Sequence, residues 1–286
     1  MLAQTVALLA AIVHALSFIL CKRGLRFSTP ITITFVSLLV QTVVLFGVVL
    51  TFTGLPSTST LLISIYVVSG ILQALVRQLT NIGIEKIETA RSGPIRASVP
   101  LWSAAIAIFF LGEKMTVAIA AGTLLVVGGI LLISWRTGEA VEDFRPWYIA
   151  APLLAALLGG VVYPLRRYAL RFSHEQIYFG AVVVGFLCVC IYLALPTTKE
   201  TLVWNRASLG YFIVGGALES LGLLLVFYAL TFGPVILVTP MTATLPLWIL
   251  LASKFFLRDV EKITPRVVAG AAFVVVGTIA MALSKS

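Results

Sequence analysis

One signature occurs twice in this 286-residue chain, 146 positions apart. Pro94-x5-Pro100-Leu101-Trp102, followed by Phe109-Phe110-Leu111, recurs as Pro240-x5-Pro246-Leu247-Trp248, followed by Phe255-Phe256-Leu257. An acid stands two residues beyond each copy, Glu113 and Asp259, and no gap separates the landmarks. Earlier segments match as well: Leu8-Leu9-Ala10-Ala11 with Leu153-Leu154-Ala155-Ala156, and Leu25-Arg26-Phe27-Ser28 with Leu170-Arg171-Phe172-Ser173. Gly122 and Gly129 recur as Gly270 and Gly277. Self-similarity on this scale means that the chain folds as two like units.

Composition selects the solvent of those units. The chain is 60% hydrophobic and 11% charged, against about 25% charged residues in a soluble domain. Apolar stretches recur at 2–21, 30–53, 59–84, 88–111, 115–135, 147–166, 175–195, 207–230, 234–257 and 264–283. Each is long enough to cross a ~30 Å hydrocarbon core as a helix. No ten-residue alternation suggests a barrel, so the spans are helical. The expected fold is all-α: a polytopic membrane protein with ten transmembrane helices as two inverted five-helix repeats. The first repeat covers 1–136, a polar linker covers 137–146, and the second repeat covers 147–284.

The odd number of spans per copy carries the inversion. Five crossings make the second copy enter from the opposite face, so a pseudo-two-fold axis lies in the membrane plane. Ten crossings leave both termini on one side. That side holds five basic residues and the opposite side twelve, so the positive-inside rule places the termini outside. No cleavable signal is evident, because the first apolar stretch belongs to the repeat and lacks a basic leader. The net charge of +9 is spread over loops and helix ends, which argues against a nucleic-acid partner.

Ten spans as five plus five, a proline-rich fourth span ending Phe110-Leu111-Gly112-Glu113, and a twin ending Phe256-Leu257-Arg258-Asp259 together resemble the drug/metabolite transporter superfamily, EamA type. The resemblance implies a multi-pass protein of the cell (bacterial inner) membrane that exports a small metabolite. It also implies cytoplasmic termini, in conflict with the basic-residue count. Small multidrug resistance pumps, short relatives in that superfamily, place a membrane carboxylate eight residues before a lysine. Here that residue is His14, eight before Lys22, and its twin is Gly159. The shared-carboxylate mechanism therefore does not carry over.

Polar groups inside a membrane are costly, and those retained are functional candidates. Glu219 lies near the middle of the eighth span and its twin is Gln73 in the third. Both are candidates for substrate contact, and Glu219 also for proton coupling. His14 is at mid-depth and can shuttle protons near neutral pH. Arg77 and Arg96 fall roughly 8 and 5 Å from the midplane at a rise of ~1.5 Å per residue, on consecutive antiparallel spans. Their forks suit a carboxylate or phosphate. The competing structural reading is an ion-pair network among Arg77, Arg91, Arg96, Glu85, Glu88 and Glu219.

Pro94, Pro100, Pro240 and Pro246 are candidate kink and gating positions, since proline removes a helix hydrogen bond. Carbonyls freed at Pro100 and Pro246 would line a central cavity, or be met by Ser92, Ser98, Thr239, Thr242 and Thr244. Trp102, Trp248 and Tyr228 are expected to wall that cavity. Glu113 and Asp259 read as caps of the fifth and tenth spans. Arg166, Arg167, Lys22 and Arg23 read as helix-end residues that snorkel to the interface.

The leading functional reading is a secondary transporter of a small metabolite: an amino acid, an organic anion or another amphipathic solute. Alternating access of the inverted repeats would move it, energised by H+ or an exchanged solute. The bilayer is the expected partner; no catalytic residue, metal or cofactor is expected, and no P-loop is present. Cys21, Cys188 and Cys190 lack metal or redox spacing. An intramembrane enzyme acting on a lipid-linked substrate would need a nucleophile with a base or paired carboxylates. A non-transporting scaffold or sensor would need no polar groups at matching depth. In a background without native cysteines, Glu139→Cys should react with a membrane-impermeant thiol reagent only from the face opposite a tag on the N-terminus.

Overall fold

Backbone amides left unpaired in hydrocarbon are too costly to persist, so an apolar chain of this kind satisfies them within helices. The computed structural model describes residues 2–51, 59–134, 146–172, 183–187, 189–191, 202–256 and 265–283. Helices cover Leu2–Gly24 (α1), Pro30–Thr51 (α2), Thr60–Arg96 (α3), Val99–Leu111 (α4), Val117–Ser134 (α5) and Ala150–Leu170 (α6). Helical residues 183–187 and 189–191 follow. Then come Arg206–Phe232 (α7), Val235–Thr242 (α8), Leu245–Phe256 (α9) and Pro265–Leu283 (α10). No strand occurs among the described residues. Five described helices are long and apolar enough to cross a membrane, and shorter apolar helices supply the remaining described spans.

Helix α3 is a continuous run of 37 residues. A straight helix of that length would measure about 55 Å, nearly twice the ~30 Å hydrocarbon core. This one is not straight. A Cβ placed at Gly83 would lie 2.9 Å from Ser92 Oγ, yet nine residues of straight helix span about 13.5 Å. Contacts with α6 also reverse direction. Gln73 meets Arg166 and Gly83 meets Pro152, whereas Arg96 meets Ala155 and Trp102 meets Gly160. The run doubles back between residues 83 and 92, so the third and fourth spans are antiparallel legs, as the sequence implies.

The fourth and ninth spans are broken at equivalent places. Turns at 97–98 and 243–244 interrupt them, and each helix restarts with Pro100 or Pro246 in its first turn. Proline is tolerated there because its absent N–H would have no helical partner. The hydroxyl residue in each break satisfies a neighbouring carbonyl. Ser98 donates its N–H (3.2 Å) and hydroxyl (2.7 Å) to the Ile95 carbonyl. Thr244 does the same to the Met241 carbonyl, at 3.2 and 2.7 Å. Pro240 lies within α8. The side chains of Pro94, Glu85, Glu88 and Arg91 fall outside the described residues.

The two halves interlock rather than sit side by side. Helix α1 packs chiefly on α7, while its twin α6 packs on the first leg of α3, the twin of α7. Helix α2 packs on α7, and the second-half segment at 183–191 packs on α3 through Gly185. The largest buried cluster draws Ala3, Ala7 and Ala10 from α1, Ala104 and Ala107 from α4, and Ala229 and Leu230 from α7. Small residues let these backbones approach closely.

Helices α5 and α10 close the arrangement around the pseudo-two-fold axis. A Cβ at Gly129 would lie 2.5 Å from the Gly270 carbonyl oxygen, and one at Gly270 would lie 2.7 Å from that of Gly129. Gly122 and Gly277 face each other in the same reciprocal way, at 2.8 and 2.6 Å. The repeated glycines thus pack within the chain, one half against the other. Gly129→Ala should lower stability by about 1–3 kcal/mol, the range for overpacking, whereas Gly128→Ala, with nothing within 4 Å, should be neutral. Thermal unfolding in detergent measures the contrast.

Candidate functional site

Gly215, Glu219 and Gly222 form one stripe of α7, at spacings of four and three, so they share a face. That face meets α1. Ser17 donates to the Gly215 carbonyl (2.7 Å), and a Cβ at Gly222 would lie 2.6 Å from the His14 ring. Glu219 therefore opens toward α1 between Ser17 and His14. From α3, Arg77 Nη2 donates to Glu219 Oε2 in a salt bridge, with the two side chains 18% and 24% exposed. Glycine at 222 is required for the His14 imidazole to sit against α7.

Gln73 performs the matching task in the other half. Its Oε1 accepts from Arg166 Nη2 (2.8 Å), whose Nε also reaches Ser69 Oγ (3.5 Å). The twin positions Gln73 and Glu219 thus each hold an arginine from the opposite repeat. Arg166 is 2% exposed, so it does not snorkel to the interface. Helix α6 continues beyond it to Leu170, which carries Arg166 into the bundle, and Gln73 supplies the acceptor that makes this burial tolerable.

A third group lies on the second leg of α3 and the face of α6. Arg96 Nη1 donates to the Ala155 carbonyl (2.9 Å) and stands against Gly159, where a Cβ would lie 3.6 Å away. Tyr163 Oη stands 3.4 Å from Thr242 Oγ1, and the Arg166 guanidinium carbon is 6.0 Å from the Tyr163 ring centre. Trp102 packs over Gly160 and donates its indole N–H to Ser98 Oγ (3.1 Å). Trp248 donates likewise to Thr244 Oγ1 (3.0 Å). Each tryptophan is tied through a hydroxyl to the carbonyl exposed by its helix break.

Tyr228 departs from the expected position. It shares an exposed stripe of α7 with Val214, Leu221 and Phe232. Nine residues at ~100° each place it about 180° around the helix from Glu219. Tyr228 belongs to the outer apolar face and does not wall a cavity with Glu219.

These elements can be compared with known proteins. A family profile for EamA-like transporters matches residues 1–135 and again 145–283. The chain belongs to the EamA-like transporter family. One solved crystal structure, 16% identical, covers 98% of this chain and of its own, with a TM-score of 0.76; at that identity it attests the fold alone. Comparison with curated proteins finds no significant match.

In this EamA transporter a further polar cluster lies at the end of the bundle on the side of the N-terminus. Gly112, with φ of 66°, ends α4 in a left-handed turn that other residues rarely adopt. The turn aims Glu113 at the other repeat. Its carboxylate accepts from the Val235 (2.9 Å) and Ile236 (3.1 Å) amides at the N-terminus of α8. Arg167 Nη1 donates to the Leu230 carbonyl and to Thr231 (3.2 Å) at the end of α7. Arg171 donates to the Leu111 carbonyl at the end of α4 (3.4 Å). Glu113 is thus a cap, as its sequence context implies, but of α8 across the repeat boundary and not of α5. Asp259 falls outside the described residues.

Ser17, Ser69 and Tyr163 join the site without having been singled out in the sequence. For Tyr163 a signal existed: Gly159, Tyr163 and Arg166 follow at spacings of four and three along α6, one face of a helix. Arg77→Met and Glu219→Met should each destabilise the EamA transporter. The double variant should lose less than the sum, with a coupling of about 0.5–3 kcal/mol, read from a double-mutant cycle of unfolding in detergent.

Proposed function

We propose that this protein is a secondary transporter of small organic anions or zwitterions, moved by alternating access of its two inverted halves. The observation that carries the reading is the Arg77–Glu219 pair, contributed by opposite repeats within the helix bundle. A pair split between moving bodies is remade or broken when they rock, and inverted-repeat transporters hold solute at that interface.

Charge supports an anionic solute. Among the described residues Arg77, Arg96 and Arg166 lie deep in the bundle, against the single deep carboxylate Glu219. Each such charge costs roughly 2.5–3.5 kcal/mol on insertion scales. A solute carboxylate entering beside them offsets part of that cost. Glu219 is the coupling residue: protonated, it releases Arg77 to the solute; ionised, it reclaims Arg77. The Glu113 clasp holds the end near the N-terminus closed. Its positions recur at Asp259, Lys22 and Arg26, where the opposite end would close in the alternate state. In this reading the protein sits in a bacterial inner membrane with cytoplasmic termini and exports its solute against H+ or an exchanged solute.

Purified protein in liposomes, given leucine, succinate and pyruvate with and without a pH gradient, tests the reading. The wild type should accumulate at least one solute and respond to the gradient. Glu219→Gln should lose gradient-driven accumulation by about tenfold or more, as for loss of one charged hydrogen bond, while solute exchange persists. Unchanged gradient-driven accumulation in that variant removes Glu219 from coupling.

A further inference from the structure

We infer that Arg96, Tyr163 and Thr242 form a carboxylate-binding subsite at the centre of the molecule, separate from the Arg77–Glu219 pair; its role in transport rests on the reading above. The first argument is position. Arg96 and Thr242 are the same place in the repeat, 146 residues apart. Both converge on one face of α6: Thr242 Oγ1 lies 3.4 Å from the Tyr163 hydroxyl, and Arg96 Nη1 stands against Gly159, one helical turn before Tyr163. Two copies of one position come together only near the axis that relates the halves. Ser103 of α4 donates to Thr239 of α8 (3.0 Å), so the two repeats are in direct contact beside this point.

The second argument is hydrogen-bond capacity. A guanidinium has five N–H donors, and Arg96 spends one on the Ala155 carbonyl. Among the described residues no carboxylate pairs with it. The remaining fork matches the two oxygens of a carboxylate. Tyr163 is a ready second donor. At 3.4 Å its contact with Thr242 is well beyond the ~2.7–2.8 Å of a good O–H···O bond, so it loses little by turning its proton to a better acceptor. Thr242 already donates to the Thr239 carbonyl (3.0 Å), which holds its lone pairs toward Tyr163.

The third argument is access. Arg96, Tyr163 and Thr242 are all only partly buried. Gly159 stands beside the Arg96 guanidinium, where a Cβ would lie 3.6 Å from Nη1. The equivalent residue of the first half is His14. Glycine brings no side chain of its own there, and the Val99 methyls flank the same space at 3.6 and 3.8 Å. The subsite therefore reads one end of its ligand as a carboxylate and disfavours the corresponding amide, which offers the fork one acceptor oxygen instead of two and no charge.

Ligand-induced thermal stabilisation of the purified protein tests the subsite independently of transport. The probes are pyruvate, succinate and leucine, with succinamide and leucinamide as amide counterparts. At least one acid should raise the melting temperature, and its amide should not. Arg96→Gln should weaken binding of that acid roughly 10- to 100-fold, as expected for a charged hydrogen bond. Arg96→Lys and Tyr163→Phe should each weaken it measurably, and Gly128→Ala, remote from the site with nothing within 4 Å, should retain it. If Arg96→Gln does not fold, the Lys and Phe variants carry the test. Stabilisation by no acid, equal stabilisation by acids and amides, or wild-type affinity in Arg96→Lys and Tyr163→Phe each overturns the subsite. Binding that obeys these rules without any solute movement in liposomes leaves the subsite standing and removes the transport reading.

Discussion

Hydrocarbon offers no hydrogen-bond partner, so a polar side chain carried into the membrane must find its partner elsewhere in the protein. In this chain the partner comes repeatedly from the opposite repeat. Arg77 reaches Glu219, Arg166 reaches Gln73, Arg96 reaches the Ala155 carbonyl, Ser17 reaches the Gly215 carbonyl and Ser103 reaches Thr239. Neither half satisfies its polar groups alone. This dependence orients the halves, and the reciprocal glycines of α5 and α10 set how closely they approach.

Symmetry in the scaffold coexists with asymmetry in the chemistry. Both repeats break the proline-bearing span at the same place and tie a tryptophan to the break through a hydroxyl. The glycines of α5 and α10 face their own twins. At the centre the twins differ: Gln73 against Glu219, Arg77 against Leu223, Arg96 against Thr242, and His14 against Gly159. Under the alternating-access proposal, a scaffold that rocks between two equivalent states needs equal halves, since unequal packing would favour one state. A ligand has no such symmetry, so under the same proposal groups that bind it near the axis are free to diverge.

Much of the fold was legible because its signals are local. Span lengths follow from apolar runs, and the antiparallel third and fourth spans from the polar stretch between them. The errors share another origin. Glu113 reads in sequence as a cap of the helix that follows it; the left-handed turn at Gly112 sends it instead to α8, more than a hundred residues away. Arg166 reads as a snorkelling helix end, because its acceptor Gln73 lies in the other repeat. Tyr228 reads as cavity-lining from its residue type, whereas the outward stripe it shares with Leu221 and Phe232 decides its face.

The sequence by itself determined that this is a membrane protein, that it is built twice, and that the copies are inverted. Those conclusions need only the length of apolar runs and the parity of their number, which are properties of the chain alone. Tertiary structure decided which arginine meets which acceptor, that the helix-5 and helix-10 glycines pack against each other within one chain, and that Arg96, Tyr163 and Thr242 gather at the axis. Side chains 79 to 142 residues apart, such as Tyr163 with Thr242 and Arg77 with Glu219, meet only after helix rotation and crossing are set. Packing over the whole bundle sets these, and no stretch of sequence contains that information locally.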